Sequence, residues 1–255
     1  TPEGVHREER QIRRESGLLM RQKTSVLSGR SAAWRGAIYL AGILILAVGI
    51  TLNTRTGLGM STITAIPYAV CAAAGVAFST AVFWFYAALA AAQLLWKRRN
   101  AGWKDLMQLP FSVAFSFCLG RLGAVLSLPN EHLWQRMILL ASAVVCTGCG
   151  MAMILSMRLV PCPPDGLVQT LAGALGKDEG LAKNLVDVFC VAGAVAVDLL
   201  CGGKIVSVGA GTVAAMLLTG RVVAAFNRLC REKLLTLAGF QTEKNLPLGK
   251  EENHR

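Results

Sequence analysis

The sequence predicts an all-α fold: a polytopic helical membrane protein with about six transmembrane helices and two short re-entrant half-helices, arranged as a 3+3 inverted repeat. Three observations predict it. The first is composition: of 255 residues, 54% are hydrophobic and only 16% charged, with mean hydropathy +0.50. That is too apolar and too charge-poor for an ordinary soluble domain. Several windows run about 20 residues almost without charge, the length that crosses a bilayer core about 30 Å thick. The second is a pair of broken apolar stretches, residues 57–75 and 160–176. The third is an order of elements that occurs twice.

Net charge is +11. The basic residues cluster beside the apolar runs, which suits positive-inside topology and anionic lipid better than nucleic acid. Six of the eight cysteines (Cys71, Cys118, Cys146, Cys149, Cys190, Cys201) fall in apolar segments, where cysteine acts as a small hydrophobe. No disulfide framework is expected, and no spacing resembles a zinc site.

Residues 1–31 form a polar, basic arm, placed in the cytoplasm by its charge. The apolar run at 33–52 is the first span. It is too long for a signal peptide and lacks a small-residue cut site, so it reads as a retained anchor. Asn53-Thr54-Arg55-Thr56 should break it. Residues 57–75 are apolar but interrupted by glycines, hydroxyls and Pro67. Spans follow at 80–96, ending at Lys97-Arg98-Arg99, and at 106–128, which contains Arg121. Pro129-Asn130-Glu131-His132 is a turn, and 133–157 is a fourth span closed by Arg158.

Then comes VPCPPDGLVQTLAGALG, residues 160–176. A helix from about Gly166 to Gly176 would rise roughly 16 Å, half the bilayer core. The fifth span, 181–200, carries Lys183, Asn184, Asp187 and Asp198; the sixth, 205–226, carries Arg221. Residues 227–255 are a basic tail whose first part, to about Phe240, suits an amphipathic surface helix.

The repeat is visible in residues. Ser112-Val113-Ala114 precedes Gly120-Arg121, and Thr212-Val213-Ala214 precedes Gly220-Arg221; Ala124 and Ala224 continue the match. The halves divide at 32–128 and 129–226. Charge decides how they sit. Eight crossings would put the Lys97-Arg98-Arg99 loop outside; six, with both broken segments re-entrant, put it in the cytoplasm with both tails. Three crossings per half give the halves opposite orientation, a plan many secondary transporters use.

Chemistry-bearing residues are few. Asp165 precedes a helix pattern and can cap its first turn. Alternatively that turn, at membrane depth, offers open donors to a solute. Thr62 holds the comparable place in the first half. Asp187 lies inside a span, with Asn184 three residues earlier on the same face. The candidate solute site is therefore Thr62, Asp165, Gly166 and Asp187, with Arg121 and Arg221 supporting. Cys146-Thr147-Gly148-Cys149 lies in a Gly- and Ala-rich helix and reads as close packing. Gly209-Ala210-Gly211 is no dinucleotide fingerprint. His6, His132 and His254 are scattered, so neither metal site, cofactor nor catalytic triad is expected, and the chain is not expected to be an enzyme.

Three motifs carry a resemblance: Gly57-Leu58-Gly59-Met60-Ser61, Pro164-Asp165-Gly166-Leu167, and Val208-Gly209-Ala210-Gly211-Thr212-Val213. In order and spacing they resemble the YczE-like family of bacterial integral membrane proteins, related to the YitT group. The resemblance covers about 33–226. Thr62 stands where that family commonly has proline, and Pro164 where arginine often precedes the aspartate. The resemblance implies a multi-pass protein of the bacterial cytoplasmic membrane. Together these readings lead to a protein that moves or binds a small polar or anionic solute, in contact with lipid and open to homo-oligomer formation. The alternative is a non-transporting accessory or scaffold protein.

Overall fold

Six apolar stretches fold into helices long enough to cross a membrane. The computed structural model describes residues 29–98, 101–126 and 131–239. Most of the N-terminal arm, Arg99, the Pro129-Asn130 part of the turn and the tail beyond 239 lie outside the described residues. The helices are α1 (Gly29–Thr56), α2 (Thr62–Ala74), α3 (Phe78–Lys97), α4 (Trp103–Leu106), α5 (Gln108–Val125), α6 (Leu133–Met157), α7 (Pro163–Leu175), α8 (Glu179–Val197) and α9 (Ala210–Leu237). The protein is a polytopic helical membrane protein whose outer faces contact lipid.

Several boundaries differ from those the sequence predicts. Asn53-Thr54-Arg55-Thr56 does not break α1. Thr51, Thr54 and Thr56 donate their hydroxyls to carbonyls three or four residues back, and Arg55 donates to Gly123 O at 2.7 Å, so the polar turn is satisfied as helix. α7 starts at Pro163, three residues before Gly166, because proline fits a helix's first turn, where its missing N–H has no intrahelical partner. The sixth span starts at Ala210, five residues after position 205. The chain from Gly203 is tied down instead: Asp198 Oδ2 accepts from Val206 N (3.0 Å), Ser207 N (2.9 Å) and Ser207 Oγ (2.6 Å). α9 then runs unbroken to Leu237, so the first part of the predicted tail continues a spanning helix and forms no separate surface helix.

Contacts at the helix termini define two ends of the bundle. At one, Arg35 donates to Met157 O (2.9 Å), Lys104 to Arg158 O (2.9 Å), and Lys97 pairs with Asp105 (2.6 Å). This end is basic and joins the start of α1 to the ends of α3 and α6. At the other, Arg55 meets the end of α5, Met60 N donates to Ser207 O (2.8 Å), and Gly211 N to Leu58 O (2.7 Å). The six long helices alternate between these ends.

The two short helices do not. Each has 13 residues, follows an extended N-cap residue and stops at a left-handed glycine, Gly75 (φ 68°) and Gly176 (φ 60°). Their starts and ends share a spacing of 101 (163 minus 62, 176 minus 75). α2 begins deep, with Thr62 against Asp187, eight residues (about 12 Å) into α8. α7 begins beside Cys162, which is buried with Leu46, Tyr86 and Phe115. Each then runs back to the end its segment came from.

α1 and α6 form the central seam. A Cβ on Gly49 would stand 2.5 Å from Thr147 N and 2.9 Å from Ala143 O; one on Gly150 would stand 2.5 Å from Leu46 N and 2.8 Å from Gly42 O. Shifting 49, 46 and 42 by 101 gives 150, 147 and 143, so the contact is reciprocal. Without side chains between them, the two backbones meet directly, as small residues permit in a membrane. Around the seam, α5 packs on α1 and α3, α9 on α6, α2 on α8, and α7 on α3.

Candidate functional site

The start of α2 is an uncapped helix end. Ser61 makes no cap bond, and its hydroxyl lies 2.7 Å from Thr64 Oγ1. Thr62 Oγ1 turns to α8 and donates to Asp187 Oδ1 at 2.7 Å. Asp187 is 3% exposed, and Lys183, one turn earlier, reaches its Oδ2 at 3.2 Å. The i,i+4 spacing places both on one helix face.

The start of α7 is built differently. Its N-cap position is Cys162, not Asp165, and no side chain caps it. Pro163 and Pro164 have no N–H to offer. Asp165 stands third in the helix and makes no hydrogen bond or ion pair with another described residue. Two buried amides hold this end: Gln93 Nε2 donates to Pro163 O (2.7 Å), and Gln108 Nε2 to Gln93 Oε1 (3.1 Å). Gly166 presses on them; a Cβ there would fall 2.5 Å from Gln93 Oε1. Glycine is therefore needed at 166 for packing.

A cavity of about 320 Å³ lies between these two helix starts, α6, α8 and α9. Its wall includes Thr62, Asp165, Lys183, Asp187, Gln169 and Glu179. It runs from the first turn of α8, at the basic end, to the Thr62–Asp187 bond. Beyond that bond the backbone contacts of Leu58 and Met60 with Gly211 and Ser207 close the opposite end. A second cavity of about 680 Å³, lined by Lys97, Lys104 and Arg158, adjoins at the basic end; Leu155 and Gln169 border both.

The structure thus brings Thr62, Asp165 and Asp187 to one cavity and buries Gly166 behind it. Arg121 and Arg221 lie on exposed faces away from the cavity wall, as does Asn184. Asp198 is bound up in the loop before α9. Lys183, Gln169, Gln93 and Gln108 were not singled out from sequence. The Lys183–Asp187 spacing was readable as a pair, and the two glutamines as amides inside apolar helices that need partners. Gly148 of the CxxC stretch packs on α9, where a Cβ would meet Val222 Cγ1 at 2.6 Å. Among the described residues no three His, Cys, Asp or Glu side chains gather as metal ligands.

The motifs acquire physical roles. Gly59 (φ 98°) lies against Gly209, and Gly209 N donates to Thr212 Oγ1 at 3.1 Å, so the first and third motifs form one clasp. The middle motif contains Gly166. A family model described as a family of unknown function, DUF6198, matches residues 33–228. No curated protein and no solved structure matches the chain.

Proposed function

The chain belongs to that family of unknown function, and we propose that it binds a small polar solute in the cavity between its halves and moves it across the membrane. The observation that carries this reading is the cavity itself. It reaches from one end of the bundle to two half-helix starts in the interior, and it is closed at the other end. Irregular backbone at membrane depth is stable when buried or lining a cavity, and these two starts line one. The reciprocal α1–α6 seam and the 101-residue spacing support an inverted repeat. Such repeats place solute sites where the halves meet. The function is read as non-enzymatic.

The basic end is assigned to the cytoplasm by the positive-inside rule, with both termini there and the host a bacterial inner membrane. The resemblance to YczE-like proteins supports that placement. A scaffold role is the second reading, favoured by one observation: α9 leaves Val213, Leu217 and Leu229 exposed along much of its length.

The deciding experiment is a thermal-shift panel of small anions, amino acids, sugars and amines on the purified chain and on Gly220→Leu. Gly220 lines the cavity and a Cβ there meets nothing within 4 Å, so leucine is chosen to occupy the cavity. A solute that binds the folded state raises its melting temperature. Hits that vanish in Gly220→Leu are expected. A folded wild type that answers to nothing on the panel overturns the reading in favour of the scaffold.

A further inference from the structure

Both half-helix starts already carry a carboxylate. At α2 Asp187 stands against the first residue, accepting from Thr62 Oγ1 at 2.7 Å. At α7 the first two positions lack N–H groups and the third is Asp165. An anionic solute at either end would therefore meet a carboxylate. Around the cavity Asp165, Asp187 and Glu179 face one cation, Lys183. Lys183 is held by Asp187, 3.2 Å from Oδ2 and 3.3 Å from Oδ1, and acts on Asp165 at longer range. Glu179 is exposed at the mouth.

Asp165 therefore stands on the cavity wall without a hydrogen-bonding or ion-pairing partner among the described residues. An unpaired charge at membrane depth is costly, and such groups pair or face a water-filled path. The surrounding wall is largely apolar, with Met151, Val168, Met216 and Val223. Among the described residues no aromatic side chain lines it, so these offer none of the ring faces that hold quaternary ammonium groups. Its volume sits at the small end of ligand sites.

We propose that the cavity selects a small primary or secondary amine, its ammonium on Asp165 and its apolar body on the α6–α9 wall. This rests on the cavity being a solute site, as read above. The selectivity comes from charge: an ammonium satisfies Asp165, a neutral solute leaves it unpaired, and a carboxylate adds a fourth negative group.

The test uses n-butylamine, n-butanol and n-butyrate as probes of matched size. Binding to the full chain in micelles is read by thermal shift and calorimetry at pH 8 and fixed ionic strength. Saturable n-butylamine binding, at least tenfold tighter than that of the other two, is expected. Asp165→Asn should weaken the amine at least tenfold, and Glu179→Gln less than threefold. Should Asp165→Asn fail to fold, Gly220→Leu stands in and must abolish the amine shift. Equal response to all three probes, no response to the amine, or amine binding unchanged in the folded variants overturns the proposal. Butyrate or butanol binding that Gly220→Leu removes would sink the amine assignment while leaving a solute cavity in place.

Discussion

The surroundings of α3 and those of α8 share a 101-residue register and are filled differently. Tyr86 on α3 and Asp187 on α8 are each eight residues from their helix starts, Phe78 and Glu179. In the first half Tyr86 is stacked on Phe115 (5.6 Å between centroids, 3° between planes), and Phe115 on Phe111 (5.7 Å, 13°). These rings pack α5 against α3. In the second half Asp187 sits in Tyr86's place, Lys183 in that of Val82, and α9 packs mainly on α6. The space between α8 and α9 is the cavity. Without a hydrophobic drive between helices in lipid, packing and polar pairing decide which faces meet. Stacked rings fill one side, and Asp187 and Lys183 line the cavity on the other.

That contrast can be broken from either side. The largest effect is expected from Tyr86→Asp, which copies the second half's charge into the first without a lysine beside it. A carboxylate among Phe111 and Phe115 should cost roughly 4 kcal/mol or more, and size-exclusion chromatography should show no monodisperse protein. A stable, monodisperse variant would mean that the rings do not set this packing. Phe115→Ala should cost about 3 kcal/mol by loss of packing, lowering the melting temperature while leaving any solute shift intact. A lost solute shift would show that the first half shapes the site as well.

Asp187→Asn keeps an acceptor for Thr62 but removes the ion pair. Lys183 is nearly half exposed, at 44% of its side chain, so the pair is worth about 1 kcal/mol or less. A small drop in melting temperature together with a changed solute response is expected; an unchanged response would remove Asp187 from the site. The smallest effect belongs to Gly220→Ala, which meets no neighbour. It should raise stability by about 0.5 kcal/mol through backbone entropy, and a destabilised variant would show that α9 closes over the cavity.

Much of this frame was legible in the sequence. The spans follow from charge-free length, and α6 has the bounds that Leu133 and Arg158 suggest. The glycines after both short helices mark their stops. What failed was local. Asn53-Thr54-Arg55-Thr56 read as a break, yet a threonine can satisfy itself on its own helix, as Thr54 and Thr56 do. The late start of α9 depends on Asp198 gathering a loop eight and nine residues away, which no periodicity reveals. For the site, Thr62, Asp165 and Asp187 stood out because polar groups in apolar segments need a reason. Arg121, Arg221 and Asn184 stood out for the same reason and lie on exposed faces. Sequence gives the depth of a charge along a helix but not its rotation, which is set by neighbours.

The length of α1 and α9 has a consequence for where the two helices meet. At 28 residues each, both helices run about 42 Å, some 12 Å more than the hydrocarbon they cross. α9 finishes against the start of α1: Ala238 is buried with Ile38 and Met157, and a Cβ on Gly239 would touch Ser31. The start of α1 and the end of α9 thus meet on one side of the bundle. A side chain added at Gly239 would therefore disturb the first turn of α1 as well as the end of α9.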